Sequence, residues 1–511
     1  MNNHIPFLSK SRFIKGLQCH KALWLLTHHP EVQDEVRASQ QAVFDAGTHV
    51  GMLAQNLHPG GVEIPFEGLS VPEQLAMTQE EIKKGTKTIY EAAFSFDNVF
   101  VKVDILHNGR KGWELYEVKG ATEAKEVYLN DIAVQYYVAS GAGIKIKKAA
   151  LVHIDTSYVR HGEIDVRGLF AVQNVTKTVL ERQPFVVKEL KAMRSMLKKD
   201  TPAIDIGHHC FEPYECPCRG HCWAHIPSPS VFDFADLGKP DPFTFYQQGI
   251  VKMADVPREA LGWRQKLQYD GTLHRKNALD TDAIQSFIDS LWYPLAFMDF
   301  ETTCLTPIPL FDGTRPFQSV PFQFSLHWFD SPDGTLNHRE FLAQTDGDPQ
   351  KDFLTTLLDS LPKDACILTW NKGFEGKVLR ALGERFPKYR NRIRAIMDTM
   401  VDLMAPFRRK QIYDWKFHGS YSIKAVLPAL VTELSYQSLT ISDGGAAAEG
   451  WLRMRGTSDR EEQDQIRRDL LEYCHLDTLA MVRILEKMMG MCNILTERKI
   501  GPRKNKRPSG R

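Results

Sequence analysis

The stretch LAFMDFET, residues 295–302, decides the fold of the C-terminal half of this chain. It begins as an apolar run that suits a buried β-strand, yet it carries Asp299 and Glu301 two positions apart. Successive side chains alternate across a strand, so both carboxylates face the same side of the sheet. Burying unpaired carboxylates costs several kcal/mol each, and a divalent metal ion is the simplest partner that offsets this cost.

Two later stretches bring further acids. ACILTWNKGFEGKVLRAL (365–382) predicts a strand followed by a helix, which puts Glu375 near the start of that helix. DLLEYCHLDTLAMVRIL (469–485) has a helical pattern in which Tyr473 and Asp477 are four residues apart and share one face. The sequence therefore predicts four carboxylates and one phenol around a common point.

The order and spacing of these motifs resemble the proofreading-type DEDDy 3′–5′ exonucleases, whose fold is ribonuclease H-like. Phosphodiester hydrolysis needs an activated water and a stabilised leaving oxygen, and two Mg²⁺ or Mn²⁺ ions about 3.5 to 4 Å apart provide both. We expect the ions to be held by Asp299, Glu301, Glu375 and Asp477. The resemblance implies that Tyr473 orients the attacking water. Glu375 stands where these enzymes usually have an aspartate.

A second set of candidate residues lies in VFVKVDILHNGRKGWELYEVKG (99–120), two strand-like runs joined through Asn108-Gly109, a strong hairpin signal. Asp104 lies on the first run, and Glu117 and Lys119 share a face of the second. This pattern resembles the PD-(D/E)xK nucleases, which have a restriction-endonuclease-like fold. In that family the two acids bind Mg²⁺ or Mn²⁺ and the lysine polarises the phosphate or the water.

Two more candidates come from a resemblance to RecB-type nucleases. Gln135, in DIAVQYYVASG, is placed like the glutamine of the RecB motif, with an imperfect match. His49, in DAGTHVG, corresponds to an extra metal ligand of several of these nucleases, at a different spacing. A surface histidine is the equal alternative for His49.

The stretch CFEPYECPCRGHCW (210–223) is rich in cysteine, and Cys19 lies far upstream of it. The arrangement resembles RecB-family nucleases in which one cysteine before the nuclease core and three after it hold an iron–sulfur cluster. The resemblance implies a structural 4Fe-4S cluster on Cys19, Cys210, Cys216 and Cys222. Cys218 is then left over. The alternative is a local zinc knuckle on Cys210, Cys216, Cys218 and Cys222, with His209 or His221 as an optional further ligand, although its Cys-x-Cys spacing is atypical.

Composition narrows the remaining possibilities. A chain of 511 residues exceeds one hydrophobic core, so we expect two or three domains. With 43% hydrophobic and 25% charged residues, its composition matches that of soluble globular proteins. The sequence contains no uncharged apolar run long enough to cross a bilayer, so we expect no association with a membrane. The N-terminus lacks the apolar stretch of a signal peptide, which predicts a cytoplasmic location. Because the cytoplasm is reducing, we expect the cysteines to be free thiols or metal ligands and not disulfides. Lys plus Arg number 64 against 63 Asp plus Glu, so a polyanion needs a local patch or metal ions.

We predict an α/β multidomain protein with four segments. Residues 1–226 form a RecB-like PD-(D/E)xK nuclease domain with the four-cysteine site, and 227–290 form a helical connector. Residues 291–490 form the ribonuclease H-like exonuclease domain, and 491–511 form a basic, disordered tail. This order resembles the bacterial family named domain of unknown function 2779, with the likeness carried by YECP, FQFSLH, GSYSIKAVLPAL and YCHLDT.

The predicted function is a metal-dependent nuclease with two hydrolytic centres, in DNA repair or in defence against foreign DNA. RNA is the nearest alternative substrate. Nothing in the sequence marks recognition of a 2′-hydroxyl, so the sequence does not decide between DNA and RNA. A nucleic-acid-binding scaffold, stabilised by an iron–sulfur cluster and carrying a degenerate first nuclease, is the alternative of a different class.

Overall fold

A computed structural model describes residues 7–235, 240–303 and 305–492. The chain is a mixed α/β protein with several sheets and many helices, and it divides into two compact units. The first unit comprises Met1–Ile226 and Thr306–Gln318, and the second comprises Pro227–Leu305 and Ser319–Arg511. The predicted basic tail lies outside the described residues from position 493 onward.

The first unit is built on a sheet that has seven strands within the described residues. The strands are β1 (Leu8–Ser9), β2 (Val62–Glu63), β3 (Thr88–Phe96), β4 (Val99–Gly109), β5 (Gly112–Lys119), β6 (Ile146–Ile154) and β7 (Phe170–Asn174). The helices are α1 (Lys10–Gln18), α2 (His20–His28), α3 (Ala38–Ala54), α4 (Val71–Lys84), α5 (Glu126–Gly141), α6 (Val166–Leu169), α7 (Thr176–Glu181), α8 (Gln183–Leu197) and α9 (Arg219–Trp223). The sheet order is β2-β3-β4-β5-β6-β7, and β1 pairs with β4.

The predicted hairpin at residues 99–120 is present, but its turn is not at Asn108-Gly109. Gly109 pairs with Gly112 across the two strands, so Arg110 and Lys111 form the turn. The Asn108 main-chain N–H donates to the Lys87 carbonyl at 2.7 Å, so contact with the β3 side continues past the predicted turn. Gly112 has φ +125°, a backbone conformation that side chains disfavour, which explains a glycine there.

Helix α5 brings a polar pair to the middle of this sheet. Most of its buried side chains are apolar, among them Ile132 and Val138, which belong to the main core of the first unit. Asp131 and Gln135 are four residues apart on the same helix, so they project from one face. Their side chains are buried and contact Glu117 or its lysine partner on β5.

The second unit is built on a sheet with the order β11-β10-β9-β12-β13. Its strands are β8 (Ala278–Leu279), β9 (Leu295–Thr302), β10 (Pro321–Phe329), β11 (Asn337–Leu342), β12 (Cys366–Thr369), β13 (Met400–Asp402) and β14 (Ile412–Tyr413). Its helices are α10 (Pro242–Gln247), α11 (Trp263–His274), α12 (Thr281–Asp289), α13 (Gln350–Ser360), α14 (Lys372–Arg385), α15 (Arg390–Thr399), α16 (Ala405–Arg408), α17 (Ile423–Leu430), α18 (Gly444–Gly456) and α19 (Arg460–Met491). The short helices α10, α11 and α12 occupy the segment predicted as a connector.

Strand β9 occupies the centre of this sheet. It is antiparallel to β10 and parallel to β12, so β9 and β12 end at the same edge. In open α/β sheets, binding sites form outside the carboxyl ends of parallel strands. The long helix α19 packs against β9 and β10, and its N-terminus is capped by Asp459, whose carboxylate accepts from the Glu461 N–H at 2.9 Å.

Candidate functional sites

The residues predicted around LAFMDFET meet at one cleft of about 190 Å³ in the second unit. Asp299 and Glu301 lie on one face of β9, near its carboxyl end. Glu375 lies in the first turn of α14, which follows β12. Tyr473 and Asp477 come from α19. All five side chains line the cleft, as the spacing of the three motifs predicted.

The acids of this cleft repel one another. Burial, and then the charge of Asp477, raises the pKa of both Asp299 and Glu301 well above their usual range. Burial raises the pKa of Glu375 to about 8 and that of Asp477 to about 6. A bound cation would reverse these shifts, because an opposite charge within a few ångströms favours the ionised form of a carboxyl group.

The donor atoms fit a divalent metal ion. Asp299, Glu301 and Cys474 each offer one ligand atom, and these three atoms lie within 4.8 Å of one another. Glu375 is only 2% exposed, and the Thr369 hydroxyl favours its charged form. Within the described residues, no hydrogen bond of normal geometry reaches Oε2 of Glu375. A buried carboxylate oxygen of this kind is an available cation ligand.

Two residues of this site were missed in the sequence. Tyr436 donates a 2.5 Å hydrogen bond to Oδ1 of Asp477. The Lys424 ammonium lies 5.5 Å from the ring centroid of Tyr473 and 5.9 Å from that of Tyr436. Its charge lowers the pKa of Asp477 and Glu301, against the larger effect of burial. Tyr436 lies between helices in a turn-rich stretch, where neither a strand nor a helix period marks it.

Both phenols that reach Asp477 stay protonated. Burial is the main cause that raises the pKa of Tyr473 and of Tyr436, and the charge of Asp477 is the next. A hydrogen bond from each hydroxyl in turn lowers the pKa of Asp477. The two tyrosines therefore act as hydrogen-bond donors at this cleft.

The first unit contains the predicted acids in a dense ion-pair network. Lys119 Nζ lies 2.6 Å from Oε1 of Glu117 and 2.8 Å from Oδ2 of Asp131. Gln135 Nε2 donates to Oε2 of Glu117 at 2.6 Å and to Oδ1 of Asp131 at 3.0 Å. Lys10, from the start of α1, lies 3.0 Å from Glu117 and 3.4 Å from Asp131. Lys10 and Asp131 were not among the predicted site residues.

Charge in this network is nearly balanced. Burial and the Asp104 charge favour a neutral Glu117, but Lys10 and Lys119 outweigh them and lower its pKa. Burial disfavours the charge on Lys10, but the neighbouring acids outweigh it and raise its pKa. Asp104 accepts from the Val118 N–H at 2.7 Å, and burial raises its pKa. The two lysines already provide the charge that a metal ion would bring to Glu117.

His49 is exposed on α3, whereas Glu117, Asp131 and Gln135 are buried. Its exposure fits the surface alternative, and its assignment as a ligand stays a prediction.

Five cysteines line one cavity in the first unit, namely Cys19, Cys210, Cys216, Cys218 and Cys222. Cys218 is fully buried among the others, although the prediction left it out of the ligand set. A hydrogen bond with Cys218 lowers the pKa of Cys216 to about 6 and raises that of Cys218. Five sulfurs are one more than a four-cysteine cluster needs, and they come from both ends of the unit.

Polar contacts hold the two cysteine-bearing segments together. Gln18, next to Cys19, donates to the main-chain oxygens of His209 at 2.8 Å and Tyr214 at 2.6 Å. Asp34 accepts from the Gly220 N–H at 3.0 Å. These contacts keep Cys19 beside the cysteines of 210–222, although the two segments are far apart in sequence.

Residues 296–422 match the family model described as Domain of unknown function (DUF2779). The matched segment includes Asp299, Glu301 and Glu375 and ends before Asp477. It supports the family resemblance for the middle of the second unit. A comparison with curated proteins found no match.

Among the helices of the described residues, none has both the length and the apolar character needed to cross a bilayer.

Proposed function

We propose that the second unit is a metal-dependent 3′–5′ exonuclease of the DEDDy type, with a ribonuclease H-like fold, that hydrolyses DNA. The observation that carries this proposal is the convergence of Asp299, Glu301, Glu375 and Asp477 with Tyr473 on one small cleft. Carboxylates are the donor set that hard cations such as Mg²⁺ and Mn²⁺ prefer, and such a cation would offset the burial and repulsion that raise the pKa values of these acids. The motif order of a DEDDy exonuclease supports the same assignment.

Each residue of the cleft has a distinct task in this proposal. Cations held by the four acids would supply the Lewis acidity that phosphodiester hydrolysis needs. Tyr473 keeps its phenolic proton, so its hydroxyl can orient the attacking water. Tyr436 fixes the orientation of Asp477 through its short hydrogen bond. Phe374 is exposed at the cleft and offers an aromatic face on which a terminal base can stack.

For the first unit we propose a RecB-like nuclease centre on Asp104, Glu117, Lys119 and Gln135. A 4Fe-4S cluster on Cys19, Cys210, Cys216 and Cys222 would stabilise this unit by cross-linking its two ends. A nucleic-acid-binding scaffold is the second candidate, because Lys10 and Lys119 already neutralise Glu117 and Asp131. A role in DNA repair or in defence against foreign DNA would suit either form.

The test uses the full chain, purified without oxygen, with iron and sulfide measured first. The 5′-labelled single-stranded DNA and RNA are then incubated with Mn²⁺ or Mg²⁺. We expect progressive shortening from the 3′ end, faster on DNA, that is lost in Asp299→Asn and kept in Glu117→Gln. Asp398→Asn, an exposed acid of the same unit, is the matched control and should retain full activity.

The outcomes separate the candidates. Shortening of RNA alone would move the substrate class to RNA. Activity that survives Asp299→Asn but is lost in Glu117→Gln would move hydrolysis to the first unit. Binding of nucleic acid without cleavage by the wild-type chain would contradict the nuclease and leave the scaffold.

A further inference from the structure

Three histidines meet on the second unit outside the set of predicted site residues. His327 lies on β10, His338 lies opposite it on β11, and His475 lies on α19. One ring nitrogen of each lies within 4.8 Å of the other two. The ring centroids are 4.3 to 4.8 Å apart. Three imidazoles thus share one small volume although they come from three separate elements.

The spacing of the nitrogens fits a tetrahedral metal ion. Nδ1 of His475 lies 3.3 Å from Nε2 of His338. Two nitrogens bound to one tetrahedral ion at 2.0–2.1 Å are themselves about 3.3 Å apart. Oε2 of Glu340 lies 3.8 Å from Nε2 of His338, so a carboxylate is close enough to be a fourth ligand or to orient one.

Buried hydroxyls orient the rings. The Thr478 hydroxyl lies 3.1 Å from the main-chain oxygen of His475 and 2.8 Å from Nδ1 of His327. In the His327 tautomer that donates from Nδ1 to this hydroxyl, Nε2 keeps a free lone pair for a metal ion. The Ser325 hydroxyl lies 2.6 Å from that of Thr478, and it also lies 3.1 Å from Nε2 of His338, a contact that a metal ion on this nitrogen would replace. A hydrogen-bonded partner on the second ring nitrogen, as Thr478 is for His327, is typical of metal-binding histidines.

The imidazoles are held in the neutral form that a metal ion requires. Burial, and then the charges of neighbouring histidines, lowers the pKa of His327 to about 3. The same two causes lower the pKa of His338 to about 4. Near pH 7 both rings are therefore uncharged, and a metal ion can bind without first displacing a proton from a charged ring.

We propose that His327, His338 and His475 form a site for a borderline divalent transition metal such as Zn²⁺ or Co²⁺. Three imidazoles suit such an ion, whereas the carboxylate cleft suits Mg²⁺ or Mn²⁺. The site would fasten β10 and β11 to α19, the helix that carries Tyr473 and Asp477. It is independent of the proposed nuclease activity and would exist in an inactive chain.

The test measures Co²⁺ bound by the full-length chain in excess Mg²⁺, which keeps hard ligands occupied. After dialysis we expect the wild type to retain one more Co²⁺ per chain than the double variant His327→Gln, His475→Gln. In His338→Ala the affinity for this additional Co²⁺ should fall at least about tenfold, because even changes to residues behind the metal ligands lower metal affinity about 10–100-fold. His274→Ala, an exposed histidine elsewhere in the second unit, should retain every bound Co²⁺.

A spectrum distinguishes this site from the thiols. Cobalt on thiolates gives an intense near-ultraviolet charge-transfer band, and the equivalent lost in the histidine variants should lack it. Paramagnetically shifted imidazole N–H resonances should also appear in the wild type, which removes any dependence on how the variants fold. Equal cobalt content in all chains, or a wild type without those resonances, would show that the histidines only hydrogen-bond to one another.

Discussion

The Tyr436 hydroxyl connects a turn-rich stretch of the second unit to Asp477, one of the acids that line the cleft. It donates to Asp477 at 2.5 Å, and this bond opposes the effect of burial on the pKa of Asp477. Lys424 acts in the same direction from outside, but it is exposed and its charge is screened. Tyr436 is therefore the stronger of the two controls on the charge of Asp477.

Replacing Tyr436 with Phe should impair hydrolysis by keeping Asp477 protonated to a higher pH. A hydrogen bond to a charged group contributes about 1.5–3 kcal/mol, which corresponds to a pKa rise of about one to two units. We expect the rising limb of the rate–pH profile to move upward by about this amount, with activity partly recovered at high pH. Tyr389→Phe, outside the cleft, is the control, and an unshifted profile in Tyr436→Phe would contradict the assignment.

Glu375 should make the metal-free protein less stable as the pH rises. Its pKa is raised from 4.5 to about 8 in the folded state, so the folded chain holds a proton that the unfolded chain releases. This contribution to stability is fully present below pH 4.5 and is lost as the pH rises through about 8. At about 1.4 kcal/mol per pKa unit, this contribution is at most on the order of 5 kcal/mol.

The measurement is urea unfolding in a chelator between pH 5 and pH 8.5. Glu375→Gln should flatten the decline in unfolding free energy that the wild type shows, because glutamine does not titrate. Mn²⁺ should stabilise the wild type more at the upper end of this range. Glu449→Gln, an exposed acid on α18, should leave the curve unchanged, and parallel curves for Glu375→Gln and wild type would refute the buried, protonated Glu375.

Among the elements, those with a strong local pattern were predictable from sequence. The alternation in LAFMDFET placed Asp299 and Glu301 on one strand face, and the four-residue spacing of Tyr473 and Asp477 placed them on one helix face. The strands of the first hairpin were also predicted, but the position of its turn was not. Asn108 and Gly109 pair with β5, and Asn108 also bonds to Lys87 just before β3, and these contacts outweigh the local preference of Asn108-Gly109 for a turn.

Partners supplied by tertiary structure could not be predicted. Lys10 and Glu117 are 107 residues apart in sequence, and no periodicity connects the start of α1 with β5. The three histidines come from two strands and a helix, so each looks like an isolated histidine in its own stretch. Position relative to distant elements decides such contacts, and that information is absent from local spacing.

The position of Lys10 at the start of α1 predicts a strong effect of its loss. Lys10→Met would leave Glu117 and Asp131, both buried, with Lys119 as their remaining close cation among the described residues. Removing one partner of a buried ion pair costs about 3–5 kcal/mol, so the first unit should unfold at a clearly lower temperature. Lys198→Met, at the exposed end of α8, is the matched control.

Adding Mn²⁺ to Lys10→Met also tests the two candidates for the first unit. Recovery of the melting temperature would show that these acids can take a metal ion once a lysine is removed. Lack of recovery would favour the scaffold, in which the lysines have replaced the metal. An unchanged melting temperature in Lys10→Met without metal would contradict the ion-pair network itself.

For the whole molecule, the division of the chain into units does not follow its linear order. Thr306–Gln318 lies between β9 and β10 in sequence, yet it belongs to the first unit. Ile308 and Phe317 pack against a core cluster of that unit. Each unit has its own sheet and its own candidate site, so we expect a change in this segment to affect the first unit and spare the carboxylate cleft of the second.

Arg160 gives the means to test this expectation. Its Nη1 donates to the main-chain oxygens of Pro309 at 3.1 Å and Leu310 at 2.9 Å, and its own carbonyl accepts from the Gly313 N–H. In Arg160→Ala we expect faster hydrogen exchange of amides in 306–318 and a melting temperature of the first unit lower by about 4–8 °C, the effect of about 2 kcal/mol. The rate of 3′ shortening should stay within about twofold, because the cleft residues are fixed by β9, α14 and α19.

Arg110→Ala, in the exposed hairpin turn of the same unit, should change neither hydrogen exchange in 306–318 nor the melting temperature. Exchange in 306–318 as slow in Arg160→Ala as in the wild type would show that this segment is held by its apolar contacts alone.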